Sequence, residues 1–346
     1  MGPDGKRRRR SLSSKTQSAL QRKITDERAR GGGSFRPKAV GTISEFVDRW
    51  LEDEVKPSRS TSTYLSYRNV WTVHVRGRIG ALPFEKLGVG TVCDLYRRLR
   101  DDGISASMIS RVGRVIHRAV AVAIAQEHFF GANPFAVVER PKEDHRETRS
   151  LSAAEAERLI AAARDSRFEA LWILLLTAGL RIGEALALRW RDVNFKAGKI
   201  SVNRSLLETA GTLEFVAPKT KGSRRSIEIG PLATTALLRR RGAADGEGHA
   251  SELIFCNESG KPMRRSNLVP KYFHPVLAAA GIERMTLHEL RHSMTSIALQ
   301  TGVPVKVISA RLGHSTTRLT EDRYAHVLDG MGRAAADAIS PKPDQE

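Results

Sequence analysis

Residues 141–149 read Pro-Lys-Glu-Asp-His-Arg-Glu-Thr-Arg, a charged stretch with no hydrophobic periodicity. Such a run has nothing to bury, so no helix or strand with a core-facing side continues through it. The stretch reads as a linker at 141–148 between two domains. On the N-terminal side the apolar spacing is helical throughout. Thr42-Ile43-Ser44-Glu45 forms a capping box, after which Phe46, Val47, Trp50 and Leu51 share one face. Further helices are predicted from about Ser60 to Val73, between Gly88 and Gly103 with Val92, Leu95, Tyr96 and Leu99 on one side, and from about Ser107 to Gln126, before Asn133-Pro134.

On the C-terminal side Ser152-Ala153-Ala154-Glu155 is a second capping box. An apolar helix is expected over Phe168 to Ala178, broken by Gly179 and resumed over Ile182 to Leu188. Strands are expected at Lys199–Asn203, Thr212–Val216 and Ser226–Ile229. Helices return near Thr234–Arg241, Leu268–Ala280, His288–Thr301 and Val305–Leu312. The expected fold is mostly α with one small antiparallel β-sheet, divided into a basic arm at 1–40, a helical domain at 41–140, the linker at 141–148, an α+β domain at 149–335 and a tail at 336–346.

Charge points to the partner. The chain holds 57 Lys and Arg against 38 Asp and Glu, a formal charge of +19. Residues 1–40 alone carry twelve basic and three acidic side chains, with Gly31-Gly32-Gly33 and few large apolar residues, which reads as a flexible arm. A polyanion is the natural counterpart, because each phosphate neutralised by Lys or Arg releases condensed counterions. Two distant cysteines, Cys93 and Cys256, argue against a disulfide scaffold or a zinc finger and fit a reducing compartment. The basic N-terminus is followed by no apolar segment of a secretory signal. The apolar run Leu171–Leu176 is too short to span a bilayer. The expectation is a cytoplasmic protein with no membrane partner. No Walker A pattern and no carboxylate cluster of metal-site spacing stands out, so no cofactor is expected.

Several C-terminal motifs suit phosphate chemistry. Arg181 opens Arg-Ile-Gly-Glu at a helix start, where a guanidinium and backbone donors can share a phosphate. Glu184 lies one turn on, placed to hold that arginine. The ordinary meaning of such a pair is a surface ion pair. Lys219 and Lys221 sit in Pro-Lys-Thr-Lys-Gly-Ser-Arg-Arg between two expected strands, the pattern of a charged β-turn. A lysine there could donate a proton to a leaving oxygen. In Leu287-His288-Glu289-Leu290-Arg291-His292, His288 and Arg291 share a helix face, an imidazole beside a charge clamp, while His292 is expected to point elsewhere and pack. Leu312-Gly313-His314 stands ten residues before Tyr324-Ala325-His326; alone, that tyrosine would be read as packing.

The order of these motifs is more informative than any one of them. Thr177-Ala178-Gly179-Leu180-Arg181-Ile182-Gly183-Glu184, then the lysine turn, then Leu287-His288-Glu289-Leu290-Arg291-His292, then Leu312-Gly313-His314-Ser315, then Tyr324 resembles the catalytic domain of the tyrosine recombinases, the phage integrase family. The helical region ending at Asn133-Pro134 is similar to that family's SAM-like core-binding domain. The resemblance covers all but the arm and the tail.

The resemblance implies a bacterial, nucleoid-associated enzyme that cleaves and rejoins double-stranded DNA at a specific site. It implies a 3′-phosphotyrosine intermediate and a role in integrating or excising a phage or mobile element. Arg181 and Arg291 would hold the non-bridging oxygens, Tyr324 would attack, His288 would accept its proton, and His314 would hydrogen-bond the same phosphate. Lys219, with Lys221 as the alternative, would protonate the departing oxygen. The implied assembly is a homotetramer on DNA, with an accessory DNA-bending protein as a further partner. Two other readings stay open at this point: a type IB topoisomerase-like relaxing activity, and a non-catalytic DNA-binding regulator.

Overall fold

The computed structural model describes residues 41–129, 131–142, 149–209, 211–218, 224–247, 251–313 and 316–317. They fall into two compact units, one on each side of residues 143–148.

The first unit is all helical among its described residues. Helix α1 (Ile43–Trp50) starts at a complete capping box: Thr42 Oγ1 accepts from the Glu45 amide, and Glu45 accepts from the Thr42 amide at 2.8 Å. It runs on through a π-helical turn, Leu51–Val55, into a last turn, Lys56–Ser58. Helix α2 (Thr61–Asn69) is capped by Ser60 and likewise continues, as a π-helical segment Val70–Val75 and the turn Arg76–Ile79. Helix α3 (Val89–Asp101) and helix α4 (Ala106–Ala125, capped by Ser105) follow, then the short helix α5 (Pro134–Val137), capped by Asn133. Ile43, Trp71, Phe84, Leu95, Leu99 and Ile116 are fully buried in one core. Burying each such side chain contributes about 2–3 kcal/mol. Trp71 is buried together with its donor, which is satisfied by Asp48 Oδ1 at 2.6 Å.

The second unit is α+β. Helix α6 (Ala153–Ala162) opens at the Ser152–Glu155 capping box. Helix α7 (Glu169–Thr177) is buried on every side, as expected of a helix through the middle of a domain core. Its buried acid, Glu169, is paired with Arg239. Helix α8 (Ile182–Leu186) follows after a break at Gly179, whose φ is +62°.

The β structure is antiparallel and small, as expected, but its strands divide differently from the sequence reading. Strands β1 (Val193–Asn194), β2 (Lys199–Val202) and β5 (Arg225–Glu228) form one sheet in the order β1-β2-β5. Ile200 pairs with Ile227 and Val202 with Arg225. Strands β3 (Ser205–Thr209) and β4 (Thr212–Val216) form a separate hairpin. The expected turn between 212–216 and 226–229 is therefore not a hairpin turn, because its two flanking strands belong to different sheets. The alternation in Ser205–Thr209 is weak, which is why β3 is not legible beforehand.

Helix α9 (Pro231–Asp245) starts earlier than the apolar spacing suggests, with Pro231 at its first turn. Helix α10 (Arg265–Leu268) continues through a π-helical turn, Val269–Phe273, into His274–Ala279. Helices α11 (Leu287–Gln300) and α12 (Val305–Leu312) close the described part of the unit. Helix α11 starts at a Thr286–Glu289 capping box, and α12 ends at Gly313 in the left-handed conformation, φ +65°.

Candidate active site

The turn between α7 and α8, the middle of α11 and the end of α12 meet at Gly179. A Cβ at this position would stand 2.1 Å from Met294 Cε and 3.0 Å from Leu312 Cδ2, so both the positive φ and the packing require glycine here. That close approach brings Arg291 of α11 under the turn. Arg291 is 4% exposed; it donates one guanidinium nitrogen to the Gly179 carbonyl and another to the Leu312 carbonyl at 2.7 Å. A single side chain thus ties the segment entering Arg181 to the segment entering Gly313-His314.

Arg181 is the residue immediately before α8, in extended conformation, with its side chain 42% exposed. It is held from behind by Glu184, which accepts from the Arg181 amide and from Arg181 Nη1, both at 2.9 Å. This is no surface ion pair, since the Glu184 side chain is only 6% exposed. Burial works to raise its pKa. The forked bonds from Arg225 and the contacts from Arg181 outweigh that and hold the carboxyl below the ordinary carboxylate range.

Arg225 is the residue that sequence reasoning missed. Its side chain is 7% exposed, and its two terminal nitrogens reach both oxygens of Glu184, at 3.1 and 2.9 Å. Its Nε donates to the Arg311 carbonyl at 2.7 Å. Arg311 in turn donates to the Thr177 carbonyl at 3.0 Å. In the sequence Arg224-Arg225 looks like the end of a charged turn. The usable signal was the alternation of β5, which turns Arg225 and Ile227 to one side and leaves Ser226 and Glu228 on the other.

His288 is exposed on the first turn of α11. The expectation that His292 points elsewhere is corrected: its ring, in a residue 6% exposed, meets the His288 ring edge to face with centroids 4.7 Å apart. Residues four apart on a helix share a face, which is the physical reason. Of the expected site residues, Arg181, His288 and Arg291 are brought to neighbouring segments. Lys219, its alternative Lys221, His314 and Tyr324 lie outside the described residues. Among the described residues no group of three or more His, Cys, Asp or Glu could hold a metal ion, and no helix is long and apolar enough to cross a membrane.

Chemically, this is a set of guanidiniums fixed by buried acceptors at a chain reversal, an arrangement whose charge suits an anionic group rather than a neutral one. Residues 149–331 match the phage integrase family, and the chain belongs to it; its class is that of the site-specific tyrosine recombinases. It is 24% identical to a tyrosine recombinase XerC-like protein of Caldanaerobacter subterraneus subsp. tengcongensis, over 86% of this chain and 83% of that one. It is 22% identical to the ICEBs1 integrase of Bacillus subtilis, over 93% of this chain and 88% of that one. Among solved structures, the integrase of transposon Tn1549 bound to a circular intermediate DNA is similar in fold, with a TM-score of 0.76 at 21% identity, covering 87% of this chain and 100% of the other. A lambda integrase tetramer bound to a Holliday junction superposes with a TM-score of 0.61 at 18% identity, covering 88% and 89%.

Proposed function

We propose that the chain cleaves and rejoins double-stranded DNA through a 3′-phosphotyrosine on Tyr324, as an integrase that inserts or excises a phage or mobile element. The observation that carries this reading is the position of Arg291, bonded at once to the Gly179 and Leu312 carbonyls. It supports a site in which Arg181, Arg291 and His314 converge on one phosphate.

In this reading Arg181 and Arg291 bind the non-bridging oxygens and stabilise the added charge of the pentavalent transition state. Tyr324 Oη attacks phosphorus and gives its proton to His288. The bond from phosphorus to the 5′ oxygen breaks, and Lys219, or Lys221 in its place, supplies the proton to that oxygen. His314 donates a hydrogen bond to the phosphate. One phosphoester replaces another, so bond energy is retained and a 5′ hydroxyl of a partner strand can reverse the step. Exchange between two duplexes takes four such sites, so the working assembly is a homotetramer on DNA, aided by an accessory DNA-bending protein in the bacterial cytoplasm.

The test is a nicked duplex spanning the sequences that flank the gene, cut so that the leaving fragment diffuses away. The chain should form a covalent protein–DNA adduct on a denaturing gel, and Tyr324→Phe should form none. DNA binding without adduct would overturn the reading. To assign the proton donor, Lys219→Ala and Lys221→Ala are compared on the ordinary substrate and on one with a 5′-bridging sulfur. Sulfur should rescue Lys219→Ala; rescue of Lys221→Ala alone would move the role to Lys221.

A further inference from the structure

We infer that Arg225 is a positioning residue for phosphate binding: through Glu184 it sets the place of the Arg181 guanidinium. The inference rests on the DNA-cleavage reading above.

Arg225 does not offer itself to a substrate. Its side chain is 7% exposed, and its nitrogens go to both oxygens of Glu184 and to the Arg311 carbonyl. Glu184 has the opposite character on its two sides. Towards the interior it meets Arg225; towards the surface it holds Arg181, whose side chain is 42% exposed. A carboxylate bound by Arg181 alone could swing with it. One gripped at both oxygens by a buried fork cannot, and Arg181 inherits that fixity. Arg225 also stands at the first position of β5, two residues past 219–223, and its Nε bond fixes it to the end of α12. It therefore joins three segments of the site: the α8 start, the α12 end and the strand that follows the lysines.

Lysine cannot reproduce this. Its single ammonium can keep the charge near Glu184, but it cannot grip both oxygens and the Arg311 carbonyl together. Arg225→Lys should therefore fold with the carboxylate still paired, while Arg181 loses its fixed position. Misplacement of a clamp by about an ångström slows a reaction by about 100-fold.

The experiment measures single-turnover adduct formation on the nicked duplex, with either an ordinary scissile phosphodiester or a methylphosphonate, which lacks one non-bridging charge. Each methylphosphonate diastereomer is assayed, and thermal unfolding and duplex binding are recorded in parallel. Arg225→Lys should slow adduct formation about 100-fold on the phosphodiester. On the diastereomer lacking the oxygen that Arg181 serves, the loss should shrink to about threefold or less, because a neutral group makes little demand on that guanidinium. Arg181→Ala should show the same selectivity. Arg225→Gln is run alongside, so that a folding failure of one variant leaves the other as the test. Equal losses on both substrates, or none, would overturn the positioning role while leaving the enzyme reading intact. Absence of adduct from the unaltered chain would overturn the enzyme reading itself, and this inference with it.

Discussion

The imidazoles of His288 and His292 stand edge to face, 87° between planes, one turn apart on α11. His288 is exposed and His292 buried, so the inner ring limits how the outer one can lie. His292→Ala should slow adduct formation about tenfold, part of the 10²–10⁴ that a positioned acid–base group supplies. His292→Phe restores an aromatic edge and should recover most of that loss. Equal defects in both variants would assign the role to the ring nitrogens of His292 instead.

Gly183 lies where α8 crosses β3. A Cβ there would come within 2.5 Å of Ser205 Oγ and 2.7 Å of the Leu206 carbonyl oxygen. The hydroxyl can rotate away, but the carbonyl is part of a paired strand. Gly183→Ala should therefore push α8 off β3, at a cost of about 1–3 kcal/mol and a Tm lower by roughly 5 °C. A thermal melt checks this, and an unchanged Tm would mean that α8 accommodates the methyl group.

Glu184 makes the stability of the unit depend on acidity. Its folded pKa is depressed, with the Arg225 and Arg181 bonds overcoming the opposing effect of burial. A depressed carboxylate stabilises fully above its unfolded pKa of about 4.3, and that stabilisation is lost as pH falls through the lower folded value. The Tm gap between the unaltered chain and Glu184→Gln should be constant from pH 7 to about 5 and should narrow below about pH 4. A gap that widens on acidification would contradict the depressed pKa.

Residues 1–40 supply a net nine positive charges, twelve basic against three acidic. Removing them should weaken DNA binding and flatten its dependence on salt. The slope of log K against log salt should fall by about 0.9 for each DNA phosphate that the arm neutralises. Titrations at several salt concentrations measure it. An unchanged slope would show that the arm touches no DNA.

Much of the helical fold was legible because its signals are local. Thr42 with Glu45 and Ser152 with Glu155 form the capping boxes their spacing announces, and α12 spans the expected Val305–Leu312. The Thr286–Glu289 box has the same pattern but lies just ahead of the apolar spacing that marks α11. The β structure was less readable. Which strand pairs with which depends on contacts between distant residues, and Val202 meeting Arg225 across β2 and β5 leaves no mark on either segment alone. The site shows the same division. Arg181, Glu184, His288 and Arg291 stand in short motifs, whereas the partnership of Glu184 with Arg225 spans forty-one residues and two kinds of element. Arg225 stands beside the exposed Arg224, and the alternation of β5 is the one local sign that its side chain turns inward.

Two of the bonds that hold Arg291 end on main-chain oxygens, of Gly179 and of Leu312. Every amino acid brings such an oxygen, so this part of the hold on Arg291 belongs to the path of the backbone. A partner that cannot be mutated away makes no demand for paired substitutions. Sequences around α12 can drift while the guanidinium stays where the chain reversal puts it, provided that the turn at Gly179 keeps its left-handed residue. A clamp built in this way depends on the course of the chain at Gly179 and Leu312 rather than on the side chains around it.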